Sequence, residues 1–207
     1  MREVYLDHAA TTPIDPRVFA VMQPFFDVAY GNPSSFHTKG KEAKDALDEA
    51  RAKIANVLAV RADEVVFTSG GTESNNLAVL GVARANKNHG NHLIISTIEH
   101  PSVLEAAAFL ERREGFEVTR VAVDADGMIS PGALLAAIRP ETTLVSVMMA
   151  NNEIGTIQPI AEIGNAIQKY RAEHKSAFPL FHTDACQAAG ALSLDVSKLH
   201  VDLLTFN

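Results

Sequence analysis

Apolar positions along the chain fall into two rhythms. From about residue 37 to 59, Ala43, Leu47, Ala50, Ile54 and Val57 recur at three- and four-residue steps, the spacing of one helix face. Upstream, Asp15-Pro16 pairs an N-cap residue with a proline suited to the first helical position, which predicts a helix over 17–29. Gly31-Asn32-Pro33-Ser34-Ser35 between them reads as a loop. Beyond residue 60 the pattern alternates. Segments 64–68, 93–97, 117–123, 144–150, 180–183 and 203–206 are short apolar runs of strand length, and 72–86, 101–114, 131–138 and 160–172 are helical stretches among them. Strands apolar along their whole length, separated by helices, imply a mostly parallel sheet covered on both faces, a three-layer α/β fold. No repeat, low-complexity tract or linker interrupts the series.

Composition narrows the function without naming it. The chain has 207 residues, with 18 Lys+Arg against 25 Asp+Glu and a formal charge of −7. Such acidity argues against nucleic acid as a partner, which calls for clustered positive charge. No apolar run reaches the ~20 residues of a membrane-spanning helix. Met1-Arg2-Glu3-Val4 carries no apolar signal-peptide core, so a cytoplasmic protein is the expectation. One cysteine, Cys186, excludes an internal disulfide, and no histidine pairs at metal-ligand spacing, so no metal site is expected.

In a parallel α/β sheet, ligands sit beyond the carboxyl ends of the strands. The residues that follow these strands are small, polar or titratable. Gly70-Gly71-Thr72 turns from a strand into a helix; the N–H groups and dipole there suit a phosphate, although a plain capped turn has the same look. His100 precedes Pro101 at the next helix start, either as an acid–base or stacking group or as a structural histidine. Asn151-Asn152-Glu153 could orient a ligand or form a turn. Asp184 ends an apolar strand, where a carboxylate needs a cationic or protonated partner unless it is only a cap. Cys186 has that carboxylate as its neighbour, which raises a thiol pKa, so it reads as packing rather than as a nucleophile.

Together these motifs occur in a familiar order: Tyr5-Leu6-Asp7-His8-Ala9-Ala10-Thr11-Thr12-Pro13, Gly31-Asn32-Pro33-Ser34-Ser35-Phe36-His37, TSGGTESNN over 68–76, Glu99-His100-Pro101-Ser102, Asn151-Asn152-Glu153-Ile154-Gly155 and HTDACQ over 182–187. From Val4 to Asn207 the chain resembles the cysteine desulfurases of iron–sulfur cluster assembly, class V of the fold-type I enzymes dependent on pyridoxal 5'-phosphate. The resemblance implies that Gly71 and Thr72 hold the cofactor phosphate, that Asp184 pairs with the ring nitrogen, and that Gln187 bonds the phenolic oxygen. It further implies that His100 stacks on the ring and exchanges protons with substrate, and that Asn151 positions the ring oxygen and the substrate carboxylate. The implied reaction takes sulfur from L-cysteine, leaves L-alanine, and passes a persulfide to a sulfur acceptor or iron–sulfur scaffold protein, in a homodimer.

Two departures qualify the resemblance. The family's Ser-x-His-Lys stretch follows the strand ending near Phe206; its Schiff-base lysine would fall three residues past Asn207, which itself stands at the place of a phosphate-contacting serine. The family's nucleophilic cysteine lies further downstream, and Cys186 does not match it. The expectation is therefore an amino-terminal part, inactive alone, with 1–14 belonging to a small domain and 15–207 to a large cofactor-binding domain. The alternatives are a selenocysteine lyase, another class V aminotransferase, or a non-catalytic module that binds a partner through its half-sheet.

Overall fold

The computed structural model describes residues 2–207, and Met1, the first residue of the expected opening segment, lies outside the described residues. Two compact units result, one ending at Val66 and the other spanning Phe67–Asn207. In the first, α1 (Pro16–Met22) opens on Asp15, whose carboxylate accepts the Arg17 N–H at 2.8 Å. The helix is shorter than its expected 17–29. Pro24 offers no N–H and its ring crowds the carbonyl four residues back, so the chain tightens into a 3₁₀ turn, Gln23–Phe26. Helix α2 (Thr38–Leu58) follows the apolar spacing, capped by the His37 side chain and ended by Ala59 in the left-handed conformation.

The expected strand at 64–68 does not form. Ala62–Glu64 is a 3₁₀ turn closed by reciprocal Arg61 and Glu64 bonds, and Val65 is extended but has no ladder partner among the described residues. Apolar β-branched residues make a strand only where another strand pairs with them.

The second unit contains the sheet. Its strands are β1 (His92–Ser96), β2 (Glu117–Val121), β3 (Thr142–Ser146), β4 (Leu180–Asp184) and β5 (Leu203–Thr205), in the order β2-β1-β3-β4-β5. Every pairing is parallel, as the apolar runs predicted. The helices are α3 (Gly71–Ala85), α4 (Pro101–Glu114), α5 (Pro131–Ala136), α6 (Ile160–His174) and α7 (Val196–Leu199). Helix α3 packs on α4, whereas α5 packs on α6 and α6 on α7, as right-handed crossovers running in opposite directions from β1 require. Leu93 and Ile95 join Val79, Ala83, Val103 and Leu110 in the core under α3 and α4. Side chains alternate across a strand, so Ile94 points to the other face, where α5 and α6 bury Leu134, Ile163 and Ile167. Among the described residues no helix is long and apolar enough to cross a membrane. The strand order reverses between β1 and β3, and a reversal of this kind opens a crevice at the carboxyl edge.

Candidate cofactor-binding site

At that edge, β1, β3 and β4 deliver a chain of buried polar groups. Asp184, the last residue of β4, is 2% exposed. One carboxylate oxygen, Oδ2, accepts the Asn75 side-chain amide at 2.6 Å, and Oδ1 accepts the Cys186 backbone N–H at 3.0 Å. Asp184 thus does hold a turn, as its blander reading expects, but it forms no salt bridge among the described residues. Hydrogen bonds satisfy part of a buried carboxylate's demand and leave its charge uncompensated.

Asn75 lies on the inward face of α3, in line with Ala78 and Val79. Its second amide hydrogen goes to Ser102 Oγ at 2.9 Å, and its Oδ1 accepts the Thr205 hydroxyl. Ser102 Oγ is 2.7 Å from His100 Nδ1, which also accepts the Ser102 N–H at 3.1 Å as the N-cap of α4. A backbone N–H can only donate, so Nδ1 carries no proton and the neutral ring holds its hydrogen on Nε2. The cap reading of His100 therefore holds for one nitrogen and leaves the other for a ligand.

Beneath this row lies a second buried group. Glu99 accepts the Ser96 hydroxyl and the Met148 N–H, tying the end of β1 to the segment after β3. Burial pushes its carboxyl up to about 8. His182, also buried, is pushed down to about 4 and sits 2.8 Å from Ser146 Oγ and 3.3 Å from Thr205 Oγ1. Removal from water favours the neutral form in both cases. Cys186 follows the sequence reading: burial, then the Asp184 charge, pushes its thiol up to about 12.

The start of α3 completes the arrangement. Gly70 occupies the N-cap with φ 154° and ψ 179°, a conformation open almost only to glycine. Gly71 is required for space: a Cβ there would lie 2.7 Å from Cys186 Sγ and 3.8 Å from Asn207 Nδ2. No side chain caps the helix, and Glu73 in its first turn bends back to the Ser69 N–H and hydroxyl at 2.6 and 2.5 Å. Thr72 is exposed and, with Gly70 at the cap, its hydroxyl is not engaged in capping. One turn of α3, ~5 Å along the axis, separates Thr72 from Asn75, the residue that reaches Asp184.

Asn151 is placed beside the row but is committed to its own loop. Its Oδ1 accepts the N–H groups of Glu153 and Ile154 at 2.9 and 3.0 Å, and its Nδ2 donates to Ile98 O at 2.9 Å. The turn-forming reading of Asn151 thus describes this geometry. Gln187 is exposed, three residues after Asp184. Sequence reasoning missed Asn75, Ser102, Glu99, His182 and Thr205. The available signal was a polar residue, Asn75, at a position where helical spacing calls for an apolar one.

Residues 4–207 match the aminotransferase class-V family. The chain belongs to that family. Among its curated relatives is the cysteine desulfurase IscS of Dictyoglomus turgidum, 48% identical over 206 residues, covering 100% of this chain and 50% of that protein. Another is the mitochondrial cysteine desulfurase of Saccharomyces cerevisiae, 47% identical over 207 residues, covering 100% of this chain and 40% of that protein. The class-V chain thus spans about half the length of the curated relatives it matches. A solved NifS-like protein superposes with TM-score 0.93 at 39% identity, over 100% of this chain and 55% of that one. SspA in complex with cysteine gives TM-score 0.88 at 41% identity, over 97% of this chain and 56% of that one. These likenesses agree with the parallel α/β architecture, and the first two carry the same class of name as the resemblance read from the motifs.

Proposed function

We propose that this class-V chain supplies the cofactor cradle of a pyridoxal 5'-phosphate-dependent cysteine desulfurase, whose whole protein takes sulfur from L-cysteine and leaves L-alanine. The observation that carries this reading is Asp184: a buried carboxylate, fixed on both oxygens, with its charge unmatched. A protonated pyridine nitrogen supplies the missing charge. The donor set also suits the other end of the cofactor, since the uncapped start of α3, with Gly71 and Thr72, favours a phosphate dianion. When bound, the cofactor supplies an electron sink for carbanion chemistry on an amino acid.

In this reading each residue has a defined task. Asp184 keeps the ring nitrogen protonated. His100 presents its Nε2 side to the cofactor face and moves a proton to and from substrate, because Nδ1 is held by Ser102. Gln187 serves the phenolic oxygen. Asn151 holds the 151–155 loop and, through that loop, the edge near ring oxygen and substrate carboxylate. The persulfide acceptor, an iron–sulfur scaffold or another sulfur acceptor protein, the homodimer, the cytoplasmic setting and the division into 1–14 and 15–207 belong to the same proposal. The desulfurase reading is supported by the desulfurase relatives and by the cysteine bound to SspA; the cytoplasmic setting follows the bacterial relatives, while one relative is mitochondrial.

Replacing Asp184 with alanine in the complete protein tests the reading. Loss of a charge interaction made in the transition state should lower alanine formation by roughly a thousandfold, with altered cofactor absorbance. A mere turn residue would cost about 1 kcal/mol of stability and leave turnover near the parent rate. That second outcome would overturn the assignment.

A further inference from the structure

The hydrogen-bond row around Asp184 has one residue at its centre that no motif reading assigned. Asn75 is 1% exposed, and both its amide hydrogens and its side-chain oxygen are engaged. A carboxylate can only accept, so the edge facing Asp184 Oδ2 at 2.6 Å must be the amide nitrogen, and Oδ1 must face Thr205. The same nitrogen donates to Ser102 Oγ at 2.9 Å. Since Ser102 Oγ receives that hydrogen, its own hydrogen is directed at His100 Nδ1, 2.7 Å away. On the other side, the Thr205 hydroxyl that donates to Asn75 accepts from His182 Nε2 at 3.3 Å, leaving His182 Nδ1 to accept from Ser146 at 2.8 Å. One polarity satisfies every member of the row. No buried side-chain polar atom among the described residues is left without a partner.

We propose that Asn75 is the positioning residue of the site: its single amide group sets both the Asp184 carboxylate and, through Ser102, the His100 imidazole. This rests on the cofactor reading above and deepens it. Two groups that must act on opposite features of one flat cofactor, its ring nitrogen and its face, are thereby referred to the same point on α3, the helix whose first turn serves the phosphate. Asp184 Oδ2 accepts from Asn75 and Oδ1 from the Cys186 N–H, and Oδ2 has a second lone pair that can meet a ring N–H. Without Asn75 the carboxylate loses its contact to α3 and is held from the Cys186 side alone. A group oriented from one side instead of two is a poorer fixed electrostatic partner.

The test uses the complete protein and pyridoxal phosphate labelled with ¹⁵N in the ring. Asn75→Leu keeps the side-chain size and removes both donors. It should weaken cofactor binding by about tenfold, because the carboxylate that meets the ring nitrogen is no longer fixed from α3. It should also move the ring-nitrogen resonance toward the unprotonated position. Ser102→Ala cuts the branch to His100 and leaves the Asn75–Asp184 bond, so the His100 imidazole nitrogen resonances should shift while the ring resonance stays near the parent. Asn75→Ala, smaller and uncharged, also offers no amide donor and should repeat the ring effect; it decides the matter if the leucine variant fails to fold. A folded Asn75 variant with lowered melting temperature, parent-like affinity and an unmoved ring resonance overturns the proposal. If the parent binds cofactor and Asp184→Ala abolishes its ring signal while Asn75 variants change nothing, this inference alone fails. If the parent binds no pyridoxal phosphate, the cofactor reading fails and takes this inference with it.

Discussion

Replacing Glu99 with glutamine should remove a specific pH dependence from the fold. Glu99 is 4% exposed, tied to Ser96 and to the Met148 N–H at 2.8 Å, with Oε2 3.5 Å from Ser146 Oγ. Burial raises its carboxyl from 4.5 to about 8; the Ser96 and Met148 bonds oppose that rise, and the Asp184 charge adds to it. Between those values the unfolded chain has the group ionised and the folded chain keeps it protonated, so folding takes up one proton. Stability then falls as pH rises, by about 1.4 kcal/mol per unit, being fully present below 4.5 and lost as pH passes through 8. His182 acts with the opposite sign: lowered from 6.5 to about 4 by burial, it contributes stability that is lost as pH falls. The two overlap below 6.5 and separate above it. From 6.5 to 8 is 1.5 units, so the parent should lose about 2 kcal/mol across that window. Glutamine keeps a carbonyl for the Met148 N–H and stays neutral, so its profile should be flat there. Urea denaturation at matched ionic strength across the window measures both curves. Parallel profiles for parent and Glu99→Gln would refute the reasoning, because the charge would then not be what the buried site excludes.

Two further outcomes follow from the same geometry. Gly71→Ala places a Cβ 2.7 Å from Cys186 Sγ and should destabilise the protein by about 1–3 kcal/mol. Adding Cys186→Ala should recover a good part of that loss, and a double-mutant cycle in urea that shows strict additivity would discount the contact. The Cys186 thiol, pushed up to about 12, should resist iodoacetamide at pH 8 while glutathione in the same tube is consumed; peptide mass mapping that finds rapid labelling at Cys186 would contradict it.

Much of the fold is legible because its signals are local and redundant. The run His92–Ser96 is buried at every position, and Pro101 and Gly115 bracket α4, so periodicity and breakers agree there. The failures occur where a long-range or single-residue effect decides. Val65 has the extended backbone a strand needs, yet strand identity depends on a partner that sequence periodicity does not reveal. Pro24 outweighed the apolar pattern over 17–29 because one missing N–H ends a ladder that many favourable residues would continue. The site divides the same way. Asp184, His100 and Gly71 are visible because strand ends in a parallel sheet point to ligands. Asn75 and Thr205 are not, because their roles exist only when α3 and β5 meet. Asn151 shows the opposite hazard: its position draws attention, while its amide serves the turn that it opens.

The span of these contacts also bears on how the chain reaches its native state. The Asn75 amide joins residues 109 and 130 positions away in sequence, at Asp184 and Thr205. The β1–β3 pairing, by contrast, closes a separation of 50 at His92 and Thr142. Loop-closure entropy grows only slowly, about 0.6 kcal/mol per doubling, but such contacts give nothing back until the intervening ladder exists. Strand pairing should therefore precede ordering of the polar row. A sheet formed before the crevice orders would lack the proposed cofactor cradle, so ligand capture would report on the last contacts to form and not on the first.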